Sequence, residues 1–191
     1  MVNLSPDTEV DGDWGGGYRY ETDTVKGFSH VHAWQLAGPS IMPINPDLIH
    51  PDGLYRDYYS HFNHNTEKIS PGYHQLFLDR YHIKAELTST KRVGFHRFTF
   101  NNNIALLFNL NGQLGPSFME KGLLQGDPNS NELTGQVTNQ PTFRRPKPCT
   151  IYFVAKFNMP VRKIEQDAQT GNYLVHFKWN KAKPLMMKVA I

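Results

Sequence analysis

The sequence predicts an all-β fold, an antiparallel β-sandwich with few or no helices, in one domain over residues 1–191. Three observations predict it. Apolar residues recur with period two in several runs, no long stretch shows helical periodicity, and clusters of Gly, Pro and Asn bound the runs as turns bound strands. With 191 residues of which 39% are hydrophobic, the chain can bury one good core, and two small domains are not expected.

Residues 73–78 read as a strand that Asp79 and Arg80 turn back into the next. There Tyr81, Ile83, Ala85 and Leu87 alternate with His82, Lys84, Glu86 and Thr88, the pattern of a half-buried strand. Ile104, Leu106, Phe108 and Leu110 repeat it, and so do Ile151, Phe153, Ala155 and Phe157. Gln169-Thr170-Gly171-Asn172 then turns another pair of strands, the second marked by Tyr173, Val175, Phe177 and Trp179. Residues 111–132 and 139–148, rich in Gly, Pro, Asn and Gln and without periodicity, are expected to be surface loops. Many short strands at this spacing argue a sandwich.

Composition narrows the function classes. No run approaches the eighteen or so apolar residues of a membrane span, and the N-terminus lacks the order of a secretion signal. A single cysteine, Cys149, excludes both an internal disulfide and a cysteine-rich zinc site. Residues 1–95 hold 8 basic against 12 acidic side chains and residues 96–191 hold 12 against 5, so the second half is basic. Its Arg144, Arg145, Lys147, Arg162 and Lys163 alternate with apolar residues as a solvated face does, and no nucleic-acid partner is expected.

The densest chemistry is in Asp11-Gly12-Asp13-Trp14-Gly15-Gly16-Gly17-Tyr18-Arg19-Tyr20, followed by Gly27-Phe28-Ser29-His30-Val31-His32-Ala33-Trp34. Glycines let the backbone approach a ligand while flat rings offer stacking faces, which is the chemistry of sugar recognition. The order of motifs also resembles the N-terminal domain of glycoside hydrolase family 92, the calcium-dependent exo-α-mannosidases. Leu4-Ser5-Pro6-Asp7-Thr8, Asp13-Trp14, Gly17-Tyr18 and Gly27-Phe28-Ser29-His30 carry the resemblance. It continues through Phe62, Glu67-Lys68, Ser70-Pro71-Gly72-Tyr73, Lys84 to Thr88 and Arg92 to Phe100.

The resemblance implies a β-sandwich that supports a C-terminal (α/α)6 catalytic barrel and contributes to its mannose pocket. The substrates would be α-linked mannosides of N-glycans or mannans, and the parent protein periplasmic or secreted. Trp14, Tyr18 and His30 are then the expected substrate-binding residues, a partial wall of the terminal mannose subsite. The family inverts, which needs an acid and a base roughly 6.5 to 9.5 Å apart; both, and most calcium contacts, come from the barrel. No catalytic residue and no metal is therefore expected in this chain, which reads as cut at both ends and without its barrel. Gly15-Gly16 stands where members commonly carry Cys-Ser, and Ala33 to Pro39 replaces a Gly-rich stretch. Both changes alter the loop expected to reach the sugar, and bear on linkage preference and activity.

Other readings compete at these positions. Asp11, Asp13, Glu67 and Glu86 are candidate acids or bases only if burial raises their pKa; otherwise they cap turns or carry solvated charge. His30 with His32, and His61 with His64, have spacings that two zinc ligands use, although no acidic third ligand sits at a diagnostic distance. His50, His74, His82, His96 and His176 read as structural or exposed. Beside the mannosidase domain stand a free-standing carbohydrate-binding module without hydrolytic activity and a structural domain whose aromatics are core.

Overall fold

The computed structural model describes residues 2–8, 16–33, 35–49, 57–178 and 183–191. Among them the only helical element is a single 3-10 turn, Pro46–Leu48; the rest is antiparallel strand and connection. One sheet has six strands in the spatial order Ser5–Asp7, Gly27–Ser29, Ser40–Ile44, Ala105–Asn109, Tyr173–Phe177 and Val161–Gln166. The other has nine, in the order Gly112–Leu114, Ser117–Gln125, Glu132–Asn139, Cys149–Phe157, Leu185–Ala190, Val93–Thr99, Ile83–Ser89, Tyr73–Leu78 and Lys68–Ser70. Two short ladders complete the set, Thr24–Val25 with Ser60–His61 and His32–Ala33 with Leu36–Ala37.

Aromatic rings join the two sheets. Phe108 of the six-stranded sheet stacks on Phe153 of the nine-stranded one, 6.3 Å between centroids and 12° from parallel. Phe28 meets Phe98 at 6.2 Å and Phe157 meets Phe177 at 4.9 Å. Such pairs add to what their burial contributes, and they fix the register of sheet on sheet. The predicted alternation holds in the nine-stranded sheet, where Ile151, Phe153, Ala155 and Phe157 are buried and Tyr152 is exposed. In Ala105–Asn109 it is masked, because Ala105, Leu106, Leu107 and Phe108 are all fully buried. Leu107 points away from Phe108, so the second face of the strand is covered too. Tyr58, whose hydroxyl accepts from Asn109 Nδ2 at 2.6 Å, is part of that cover.

The expected loop over residues 111–132 is corrected: it contains the strands Gly112–Leu114 and Ser117–Gln125, which form one edge of the nine-stranded sheet. The register with Glu132–Asn139 shifts between Glu120 and Leu123, where Lys121 adopts φ of 54°. A bulge of this kind breaks period two, so alternation could not reveal the strand. Ser40–Ile44 escaped for another reason, the proline at its fourth position. Pairing with Gly27–Ser29 stops at Ile41, so Pro43 sits where that neighbour asks for no N–H. Trp179 falls outside the described residues.

Because Phe153 carries the stack that joins the sheets, Phe153→Ala is expected to cost about 3–5 kcal/mol in urea unfolding. The transition should remain a single one. A loss below about 1 kcal/mol would show that the sheets do not depend on this contact.

Candidate functional site

The described end of the glycine-rich aromatic segment, residues 16–20, is held by the strand that precedes it. Asp7, opposite Gly27 in the ladder, is 1% exposed. Its Oδ1 accepts from Ser29 Oγ at 2.7 Å and from the Gly17 amide at 3.2 Å, and its Oδ2 accepts from Ser40 Oγ at 2.9 Å. Burial pushes the carboxyl up to about 6, against the bonds from Ser29, Ser40 and Gly17 that favour its charge. Gly27 makes the room, since a Cβ there would stand 2.4 Å from Ser40 Oγ. Next to it, Thr8 Oγ1 accepts from the Arg19 amide at 2.7 Å, Thr8 N donates to Gly17 O at 3.2 Å, and Ser5 Oγ accepts from the Tyr18 amide at 3.0 Å. Residues 17–19 are thus fastened at every residue.

Tyr18, half-buried and packed against the core, has a second anchor. Its hydroxyl donates to Glu67 Oε2 at 2.9 Å, and its ring meets the His74 ring edge-on at 4.9 Å. Glu67 is also the acceptor for His64 Nδ1 at 2.8 Å and His74 Nε2 at 2.6 Å, with its side chain 4% exposed. Desolvation opposes the charge on Glu67, but the bonds from His64, His74 and Tyr18 together hold the carboxyl below its ordinary value. Partial burial, then the bond to Glu67, raises the Tyr18 phenol. Tyr20 and Phe62 lean on the His64 ring at 4.5 and 5.0 Å, so the cluster is walled by aromatics.

Glu86 has no raised pKa either. Arg97 Nε at 2.7 Å and Nη2, with Tyr73 at 2.8 Å and Lys84 at 3.3 Å, surround it. The Arg97 bonds foremost bring its carboxyl to about 2, so it is ionised at neutral pH and suits no general-acid role. Asp11 and Asp13 lie outside the described residues, as does Trp14.

His30 is fully buried. Its Nδ1 faces Pro39 O at 3.0 Å and its Nε2 lies 2.8 Å from His96 Nε2. A carbonyl partner requires N–H at His30 Nδ1, so the neutral ring accepts at Nε2 from the N–H of His96. His96 Nδ1 is then bare, buried and without a partner among the described residues. Burial, then the His30 ring, holds His96 well below the ordinary histidine range. Gly94 leaves space for the pair, since a Cβ there would be 2.7 Å from His30 Cδ2. His61 bonds Asp23 at 3.2 Å and His64 bonds Glu67, so that pair separates onto different carboxylates. Among the described residues no three His, Cys, Asp or Glu side chains group as metal ligands.

Sequence reasoning therefore named Tyr18 without its partners His64 and His74, and passed over Asp7. The His64-x-x-Glu67 spacing was visible, but His74 joins it only through the strand Tyr73–Leu78. In the stretch replacing the family's glycines, the Gln35 turn is braced from outside, its Oε1 accepting from Thr142 Oγ1 and from the Arg144 amide at 3.2 Å.

Asp7 and His96 give opposite pH dependences. Asp7, raised in the folded state, contributes stability that is complete below pH 3.8 and lost as pH rises through about 6, on the order of 3 kcal/mol in all. His96, depressed, contributes stability present above pH 6.5 and lost as pH falls below it. Asp7→Asn, which keeps the shape of the protonated acid, should remove the first effect and leave the second. Urea unfolding between pH 4 and 7 is expected to show a steeper acid loss in Asp7→Asn than in wild type. Parallel profiles would contradict this assignment.

Comparison with known proteins gives this geometry its place. Residues 1–191 match the family model described as the Glycosyl hydrolase family 92 N-terminal domain. An uncharacterized secreted glycosidase of Arthroderma benhamiae is 31% identical over 99 residues, 47% of this chain and 13% of that protein. The α-mannosidase BT3965 of Bacteroides thetaiotaomicron shares the fold with a TM-score of 0.80 at 23% identity, over 99% of this chain and 29% of its own. The inverting mannosidase BT2199 of the same organism gives 0.77 at 19% identity, over 100% and 27%. The chain thus spans less than a third of the proteins it matches. It belongs to glycosyl hydrolase family 92, of which it is the N-terminal β-sandwich domain.

Proposed function

We propose that this domain is the sugar-side support of an α-mannosidase. It carries a (α/α)6 catalytic barrel and lends Trp14 and Tyr18 to the wall of the terminal mannose subsite; His30, the third residue expected there, is buried with Pro39 O and His96 Nε2 as its partners. The barrel supplies the general acid, the general base and the calcium contacts of an inverting enzyme acting on α-linked mannosides of N-glycans or mannans. The parent protein works in the periplasm or outside the cell, as the secreted description of its Arthroderma relative suggests.

The observation that supports this reading is the double anchorage of residues 17–19. Asp7, Thr8 and Ser5 fix the backbone of residues 17–19, and Glu67 fixes the Tyr18 ring. A sugar-facing ring held in this way costs little ordering entropy on binding. Glu67 and Glu86, both held below the ordinary carboxylate range, suit positioning better than proton transfer.

In the full gene product, Trp14→Ala and Tyr18→Ala are each expected to lower kcat/KM on an α-mannoside about tenfold or more, with the melting transition retained. The 191-residue chain alone should show no turnover with or without calcium. Undiminished kcat/KM in both variants, or hydrolysis by the chain alone that Asp13→Asn abolishes, would overturn the reading.

A further inference from the structure

A cleft of about 540 Å³ opens where the end of the six-stranded sheet meets the edge hairpin Gly112–Leu114 and Ser117–Gln125 of the other. Its lining shares no residue with the Tyr18 cluster. Asn109, Asn172, Tyr58, Phe118, Lys26 and Glu120 are among its walls. The volume falls in the range of small-ligand sites.

The walls are built rather than incidental. Asn172 Oδ1 accepts from the Leu110 and Asn111 amides at 2.9 and 3.0 Å, which aims its NH2 group away from the backbone it caps. Asn111 is likewise tied, to Gly171 O at 2.9 Å and the Gly122 amide at 3.0 Å. Asn109 and Tyr58 bond each other at 2.6 Å and leave Asn109 Oδ1 buried with no partner among the described residues. Turning the amide over would satisfy that oxygen and strand the NH2 group instead, so either orientation leaves a polar function open. An unmatched buried amide is unfavourable until a ligand or water meets it. Phe118, 52% exposed, offers a ring face at the rim.

Neutral amides, a phenol, one cation, one anion and an aromatic face form a lining without net charge. That lining matches a polyol whose hydroxyls donate and accept and whose C–H face stacks on a ring. It does not match a phosphate, which would call for clustered cations. We infer that this cleft binds a neutral pyranose of a glycan, as a site other than the Tyr18 cluster, with the amides of Asn109 and Asn172 reading hydroxyls and Phe118 stacking.

The test is a titration of the isotope-labelled 191-residue chain with α-1,2-mannobiose, following side-chain amide resonances by NMR. The expected result is saturable shifts of the Asn109 and Asn172 NH2 signals, weakened about tenfold in Phe118→Ala, a surface variant that should fold. Asn109→Leu, which removes one of the two amides, should abolish the saturable shift at Asn172. Absence of saturable shifts at Asn109 and Asn172, or full affinity in Phe118→Ala, would overturn the inference. Neither outcome touches the role of Trp14 in turnover, which is read in the full gene product.

Discussion

One buried carboxyl sets the order of this domain. Asp7 sits where three strands converge, and it accepts from the second of them through Ser29, from the third through Ser40, and from the returning loop through Gly17. A carboxylate withdrawn from water is expensive unless donors surround it, and here the donors belong to the elements that must be brought together. Its raised pKa records that the compensation is incomplete. Three features follow from it: a glycine at position 27, serines at 29 and 40, and a loop whose backbone is fastened before its side chains do anything.

The fastened loop gives the domain its chemical character. Tyr18 is presented on a backbone pinned by Ser5 and Thr8 and then steadied by Glu67, whose charge is in turn fixed by two imidazoles. The ion cluster of Glu86, Arg97, Tyr73 and Lys84 steadies the outer strands in the same manner. Such arrangements place rings and hydroxyls with precision and keep carboxylates charged. The role proposed above, a surface that shapes a pocket for another domain's chemistry, calls for such placement. The chain spans less than a third of the length of the solved relatives.

Much of the fold was legible because its central strands are half-buried and regular. The runs around Ile83 and Phe153 bury the residues that alternation selects. Legibility ended where a local device broke the period, at the Lys121 bulge and at Pro43, or where both faces of a strand are covered, as around Leu107. For the site, the sequence marked the aromatic segment and the motifs that hold it, because glycines and rings leave a visible composition. It did not show that His30 turns inward onto His96, since partners 66 positions apart meet only through sheet pairing. Nor did it show that His74 and Glu67 meet at Tyr18, for the same reason.

The account rests on Asp7 as the fastener of the loop at residues 17–19, and amide hydrogen exchange reads that directly. In the 191-residue chain the Gly17 and Arg19 amides should be protected, and Asp7→Ala should speed their exchange at least tenfold while the amides of Ala105–Asn109 keep their protection. Unchanged exchange at Gly17 and Arg19 in Asp7→Ala would contradict it.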